Sequence, residues 1–404
     1  MNSPLKDVAS HRSSLWFLAI TLLSFLAAST APTPLYHLYQ DQLHFSSAML
    51  TLIFAVYALS LLAALLTVGS LSDHLGRKPV IFSAVLLNAL AMLLFIYADS
   101  VAWLIGARVL QGFATGMATA VLSATLLDTD RQQGPLINSV APLLGMALGG
   151  LGCGLLAEFA PAPLQLTYWL LLALFVLQGV YVWRLPESVS RQSGAWASLR
   201  PTLHVPVQAR STLWRVLPLN TATWALGGFY ASLAPSLVRT ATGSTSNLIG
   251  GATVAALTVT GALMIFTMRL PTLRNRPAAQ ALLLGASLLP VGLILILLGV
   301  HGASLSLFFF GTVVAGCGFG SGFLGAVRSL VPLALPHERA GLMSAYYVLS
   351  YLAFCLPALL AGHLARSFGL LATTDGYGVV LIVLAVAALL LSLRPQAGKI
   401  CRAP

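Results

Sequence analysis

Long apolar runs alternate with short polar interruptions along the whole chain. About a dozen blocks of roughly 20 residues recur, each long enough to cross a bilayer as a helix. The spans read as 14–35, 47–68, 79–98, 101–123, 137–157, 167–185, 214–237, 248–268, 279–299, 303–325, 340–362 and 374–393. The third and fourth spans, and the ninth and tenth, are nearly fused. The short alternating segments of a membrane barrel are absent. The pattern predicts an all-α integral membrane protein with twelve transmembrane helices.

The longest polar interval, 186–213, holds Arg191, Arg200 and Arg210 and the central prolines Pro201 and Pro206. It predicts a cytoplasmic linker between an N-terminal six-helix bundle over 1–185 and a C-terminal one over 214–404. A short amphipathic helix around Trp196 and Leu199, lying on the membrane surface, is compatible with the linker. The two parts echo one another. The first span ends "STAPTPL" and the seventh "SLAPSLV"; "DTDRQQG" follows the fourth and "PHERAG" the tenth. "GSLSDHLGRKPV" between spans two and three faces a degenerate "RLPTLRNRP" between spans eight and nine. Weak symmetry of this kind predicts two pseudo-symmetric halves.

Composition narrows the class. The chain is 58% hydrophobic and 8% charged, against about 25% charged in an ordinary soluble domain, and its mean hydropathy is +0.90. A soluble globular domain is excluded. The net charge of +11 does not indicate nucleic acid, because the bases are scattered through short loops. Of the 21 Lys and Arg residues, only Arg239 and Arg366 fall in one set of loops and only Arg108 inside a span. The rest occupy the opposite loops and the tails, which predicts both termini in the cytoplasm. The first span exceeds the apolar core of a secretory signal and reads as a membrane helix. Cys153, Cys317 and Cys355 lie in spans and Cys401 in the tail, a spacing that implies neither disulfides nor a metal site. No GxxxxGK[ST] loop is present, so direct nucleotide driving is not indicated. His363 and the outer-loop acids form no convergent set for an embedded enzyme.

Several polar stretches interrupt the apolar pattern. In "GSLSDHLGRKPV", Gly69 and Gly76 flank a tight turn, Asp73 can accept bonds at a helix N-terminus, and Arg77 and Lys78 anchor the inner face. In "ARVLQGFATG", Arg108, Gly112 and Gly116 share one helix face. The glycines allow close packing; the arginine either snorkels to the interface or faces a cavity, with Gln111 beside it. In the fifth span, Pro142 interrupts the backbone ladder, and Gly145, Gly149 and Gly150 leave a groove. Pro32 and Pro34 break the tip of the first span, opposite Pro235 of the seventh. Tyr36 and Tyr39 read either as cavity residues or as interfacial anchors. Tyr347 and Tyr351 share a face of span eleven. No acid stands at the middle of a span. Asp41 and Glu158, near outer helix ends, are the remaining candidates for a proton, and both also read as solvated loop or cap groups.

These motifs resemble the major facilitator superfamily. Its loop between helices two and three has the form G-x-L-x-D-R-x-G-R-K/R, matched here by Gly69, Leu71, Asp73, Gly76, Arg77 and Lys78, with His74 where Arg is usual. The resemblance implies a conformational gate at this loop, with Asp73 meeting the start of helix eleven near Gly341–Ser344. Arg108 and Gly112 match the family's R-x-x-x-G motif of helix four, which implies a part in substrate or proton coupling. Pro142, Gly145, Gly149 and Gly150 partly match the antiporter motif of the drug-efflux branch; Ala141 replaces the glycine expected before the proline.

The resemblance implies a bacterial inner-membrane secondary transporter that works by alternating access, functions as a monomer within membrane lipid and carries out no covalent chemistry. Its expected partners are a small amphipathic or hydrophobic substrate and protons, with no cofactor, metal or nucleic acid. A sugar or metabolite symporter or uniporter of the same superfamily is the alternative, for which Asn88, Gln111, Asn138, Gln178 and Asn220 are the interior hydrogen-bonding candidates. A non-transporting receptor or scaffold is the alternative of another class.

Overall fold

The computed structural model describes residues 4–393 except 190, 191, 202, 275, 336 and 337, with residues 4–11, 197, 271 and 274 described by backbone only. Arg191 of the linker and Cys401 of the tail lie outside the described residues.

The chain is helical throughout. The long helices are α1 (Pro4–Thr30), α2 (Ser47–Thr67), α3 (Arg77–Ile96), α4 (Val101–Thr129), α5 (Gly134–Phe159), α6 (Leu166–Val182), α7 (Val207–Ser232), α8 (Asn247–Thr267), α9 (Ala278–His301), α10 (Leu305–Leu330), α11 (Arg339–Phe368) and α12 (Leu370–Leu393). Among the described residues, ten helices are long and apolar enough to cross a membrane. The other two are α6, with 17 residues, and α7, whose first turns carry Gln208, Arg210 and Arg215. The protein is an all-α, multi-span membrane protein.

Local chemistry sets the helix ends. Ser46, Ser246 and Ser304 cap α2, α8 and α10, accepting hydrogen bonds from Met49, Ile249 and Leu307 amides, the partners that first-turn N–H groups otherwise lack. After α1, Pro32 and Pro34 sit in a turn over residues 31–35, and a short helix, Tyr36–Leu43, follows. The expected break at the tip is therefore real. After α7, Ala234–Thr242 forms a matching short helix that begins with Pro235. The helices run past several span limits drawn from hydropathy: α4 continues to Thr129 and α11 has 30 residues. Polar ends extend a helix beyond the apolar stretch because the backbone bonds continue into water.

Helices α1 to α6 pack mainly on one another, as do α7 to α12, and the two sets meet along two seams, α5 on α8 and α2 on α11. Backbones approach closely at both. Along the first, a Cβ on Gly150 or Gly154 would press on α8, and one on Gly251 would collide with the Gly150 carbonyl. Along the second, a Cβ on Gly362 would collide with Thr51. With no hydrophobic drive between helices in lipid, small residues at these crossings let dispersion contacts hold the sets together.

Within residues 186–213, Ala195–Ser198 is a short helix with Trp196 88% exposed, so a helix forms beside Leu199, where the sequence suggested one.

Candidate functional site

A cavity of about 430 Å³ lies between the two sets of helices. Its walls differ. One carries Ser29, Thr30, Thr119, Ser123, Asn138 and Ser139 from α1, α4 and α5. The other is aromatic: Trp224 of α7 stands 5.0 Å from Tyr351, 5.9 Å from Phe354 and 6.5 Å from both Tyr347 and Phe323, centroid to centroid. Tyr347 and Tyr351 thus line the cavity. Pro142 lines it too, from inside α5.

The cavity is closed toward the end of the molecule that carries Tyr36–Leu43. There Thr33 Oγ1 donates to the Ala231 carbonyl at 2.9 Å, and the Asn247 amide donates to Glu158 at 2.7 Å. The Gly150–Gly251 crossing lies on the same side. Toward the opposite end its walls run down to Ser123, Asn138, Ser139 and Met343, near the ends of α4, α5 and α11.

Arg108 sits directly behind the wall. It is 1% exposed. Its Nη1 donates to the Ser29 carbonyl at 2.8 Å and to Gln111 Oε1 at 2.7 Å; its Nε donates to Tyr36 Oη at 3.1 Å and its Nη2 to the same hydroxyl. The guanidinium also lies 5.0 Å from the Tyr57 ring centroid and 5.6 Å from that of Tyr36, the geometry of a cation–π contact. Ser29 and Tyr57 line the cavity. None of these partners is a carboxylate. Arg108 is therefore an interior group and does not snorkel. Gln111 holds it in place, donating to the Ala28 carbonyl at 2.9 Å. Gly112 and Gly116 turn the other way: a Cβ on either would collide with α2 backbone at Tyr57 and Leu61. Gly145 and Gly149 similarly let α5 approach α1 at Leu23 and Ala27.

Tyr36 and Tyr39, open between cavity and interface in the sequence, are each 2% exposed. Tyr36 holds Arg108, and Tyr39 shares a 3.3 Å hydroxyl contact with Tyr168; neither is a surface anchor. Asp41 and Glu158 are exposed at the closed end. Beside Asp41, burial and the opposing charge of Arg239 hold the His37 imidazole below its usual range, with Asp41 pulling the other way.

At the opposite end, "GSLSDHLGRKPV" forms a compact network. Gly69 packs against the Leu65 carbonyl, where a Cβ has no room. Leu71–Leu75 is a short helix, and Gly76 at φ 98 makes the turn into α3. Asp73 pairs with Arg77 at 2.7 Å. Arg77 is also paired with Asp128 of α4 at 3.1 Å and donates to Ser72. Glu187 of the linker accepts from the amides of Arg77 and Lys78 at 2.8 and 3.2 Å, satisfying the first turn of α3. His74 Nδ1 meets the carbonyls of Gln192 and Ser193 at 3.3 and 3.0 Å. The start of α11 contacts residues 186–213 through the Gly341 carbonyl, which accepts from the His204 amide at 3.4 Å. Sequence reasoning missed Glu187 and Asp128. The signal was available: the loop offers more cations than Asp73 alone can pair.

Among the described residues no group of His, Cys, Asp or Glu is arranged to hold a metal ion.

The family model of the Major Facilitator Superfamily matches residues 17–356. The chain belongs to the major facilitator superfamily. Membership of that superfamily indicates a transporter of a small solute and not an enzyme. Among solved structures of this fold, a bacterial homologue of the human lysosomal transporter Spinster, in an inward-facing and unoccupied conformation, superposes with a TM-score of 0.72 at 15% identity, covering 97% of this chain and 98% of that one. The nucleoside transporter NupG gives 0.70 at 15% identity over 93% and 98%. The human organic anion transporter MFSD10 gives 0.64 at 19% over 94% and 99%. A curated relative, the multidrug resistance protein MdtL of Escherichia coli, is 31% identical over 153 residues. That match spans 34% of this chain and 38% of the relative's length.

Proposed function

We propose that this major facilitator is a proton-coupled exporter of a small amphipathic or hydrophobic compound, resident in a bacterial inner membrane with both termini in the cytoplasm. The observation that carries the reading is the cavity itself. It lies between the two sets of helices, closes at one end along a glycine seam and extends toward the loop with the dense charge network. That is the shape of an alternating-access transporter facing inward. On this reading α1 to α6 and α7 to α12 are two six-helix halves, so α6 and α7 also span, and 186–213 is the linker between them. The paired caps Ser46 and Ser246, each opening the second helix of its half, support the repeat.

Efflux is favoured by the partial likeness to MdtL and by the Pro142 and glycine pattern of α5. A sugar carrier fits less well. Gln111 bonds to Ala28, Gln178 to Ser24 and Asn220 to Ser350, and Asn88 is fully buried outside the cavity lining. Only Asn138 of that set faces the cavity, while sugar hydroxyls need several such groups. With no acid in the cavity wall, the proton would be carried by Asp41 or Glu158 at the closed end, and Arg108 would take part through its charge and its hydrogen bonds to Tyr36 and Gln111.

The loop of Gly69 to Lys78 is read as the inner gate. Its Asp73–Arg77 pair keeps the network within one half in this state, and closure would bring Asp73 toward the start of α11. The test is transport in proteoliposomes with and without an imposed pH gradient, screening amphipathic compounds against sugars. Gradient-dependent movement of the amphipathic set supports the proposal; gradient-independent movement of sugars alone overturns it.

A further inference from the structure

The charges around the cavity are of one sign. Arg108 lies behind its Ser29 and Tyr57 wall with no carboxylate partner. A second centre stands at the open end. Arg269, just past the end of α8, reaches across the seam and donates from Nη2 to Ser139 Oγ of α5 at 2.9 Å, and Ser139 lines the cavity. Arg328 of α10 donates to the carbonyl of Met268, the residue next to Arg269, at 3.2 Å. Burial, and after it the charge of Arg328, hold Arg269 below the ordinary arginine value. Arginine does not lose its proton in proteins, so both groups remain cations. The ion pairs among the described residues involve Asp73, Asp128 and Asp375, none beside these arginines, and no acid lines the cavity.

Retention of positive residues on the cytoplasmic side explains arginines in exposed loops. It does not explain two neighbouring arginines at one end of a cavity, one bonded to a wall residue and the other to the backbone next to it. Like charges in partly desolvated surroundings repel strongly, and the pair persists most simply where an anion neutralises it. Arginine also presents a planar donor fork matched to a carboxylate. The rings around Trp224, some 5.0 to 6.5 Å apart, offer the opposite wall to a flat apolar body.

We propose that the transported compound is an aromatic anion, its ring held among Trp224, Tyr347 and Tyr351 and its acid group held at the mouth by Arg269, Arg328 and Ser139. The inference rests on the reading of this cavity as the substrate site. A permanent cation would find ring faces there but three guanidiniums nearby.

The test uses three tritiated probes with one ring system: 2-naphthoate, 2-naphthalenemethanol and 2-naphthylmethylamine. Binding to the purified full chain in detergent is read by equilibrium dialysis. Naphthoate should bind at least about tenfold more tightly than the amine, with the alcohol between, a ratio worth roughly 1.4 kcal/mol. R269Q and R328Q should each weaken naphthoate several-fold more than the alcohol, and W224A should weaken all three probes. Equal or tighter binding of the amine by the unmodified protein overturns the inference without any variant having to fold. A naphthoate preference that survives both R269Q and R328Q overturns the assignment of the acid site. If W224A leaves every probe unaffected, the cavity reading has failed; if it weakens all of them and no charge preference exists, only the anion inference has.

Discussion

Two buried arginines in the same half of the chain have opposite surroundings. Arg77 at the α2–α3 loop is 7% exposed and has two carboxylates, Asp73 and Asp128, within 3.1 Å. Arg108 in α4 is 1% exposed and has a hydroxyl, an amide, a carbonyl and two aromatic rings. Arg77 is neutralised in place and ties three pieces of chain together, which is a structural use. Arg108 keeps its charge uncompensated at the edge of the cavity. Holding a buried ion without a partner charge is costly, and such a group persists in membrane interiors where it serves a ligand or a proton pathway.

The largest expected effect follows from Arg108. Replacing it with Gln removes the unpaired charge while keeping some hydrogen bonding, so the fold should survive, whereas transport normalised to folded protein should fall by at least about tenfold. A transport assay paired with a melting curve separates the two. The converse holds for Arg77. R77A leaves Asp128 and Asp73 without their cation and should lower stability by about 1–3 kcal/mol, less than a fully buried pair would cost because both acids are partly exposed. Loss of folded protein on membrane extraction would show it, while the fraction that folds binds ligand normally.

His37 sharpens the contrast as an intermediate case, with Arg239 opposing its charge and Asp41 favouring it. Its pKa is lowered in the closed state, so above the normal imidazole range both closed and open forms hold it neutral and closure is unaffected. As the pH falls through that range the open form takes up the proton first, and closure weakens. Acidifying that face should therefore raise the accessibility of Tyr36–Leu43 to solvent, read by hydrogen exchange, and H37Q should flatten the response. The smallest structural effect belongs to Asp73→Asn. The Asp73 side chain is 43% exposed, so stability should change by less than about 1 kcal/mol. Transport should nevertheless slow if Asp73 moves to close the gate, and an unchanged rate would leave this carboxylate with no role beyond its ion pair.

The membrane class was plain from the runs of apolar residues, because the bilayer requires a continuous apolar stretch wherever a helix crosses. The broken tip at Pro32 and Pro34 and the close-packing glycines of α4 and α5 were legible for the same reason: each has a local backbone cause. What the sequence withheld were partners distant along the chain. Nothing near Arg108 announces the Tyr36 hydroxyl, 72 positions away. Glu187 looked like a linker acid until it met the first amides of α3. Trp224, which anchors the aromatic wall, was one apolar residue in an apolar span, since periodicity does not separate a face toward lipid from a face toward a cavity.

The most direct test of the account sets Arg108→Gln and Arg77→Gln side by side in proteoliposomes under an imposed pH gradient. The substrate is whichever screened compound the unmodified protein moves fastest, and rates are taken per folded molecule. The account predicts that R108Q melts near the unmodified protein yet no longer moves the compound, and that R77Q melts lower and, with Asp73 released from its pair in the gate, still moves the compound at a reduced rate. Transport by R108Q at the unmodified rate would contradict it.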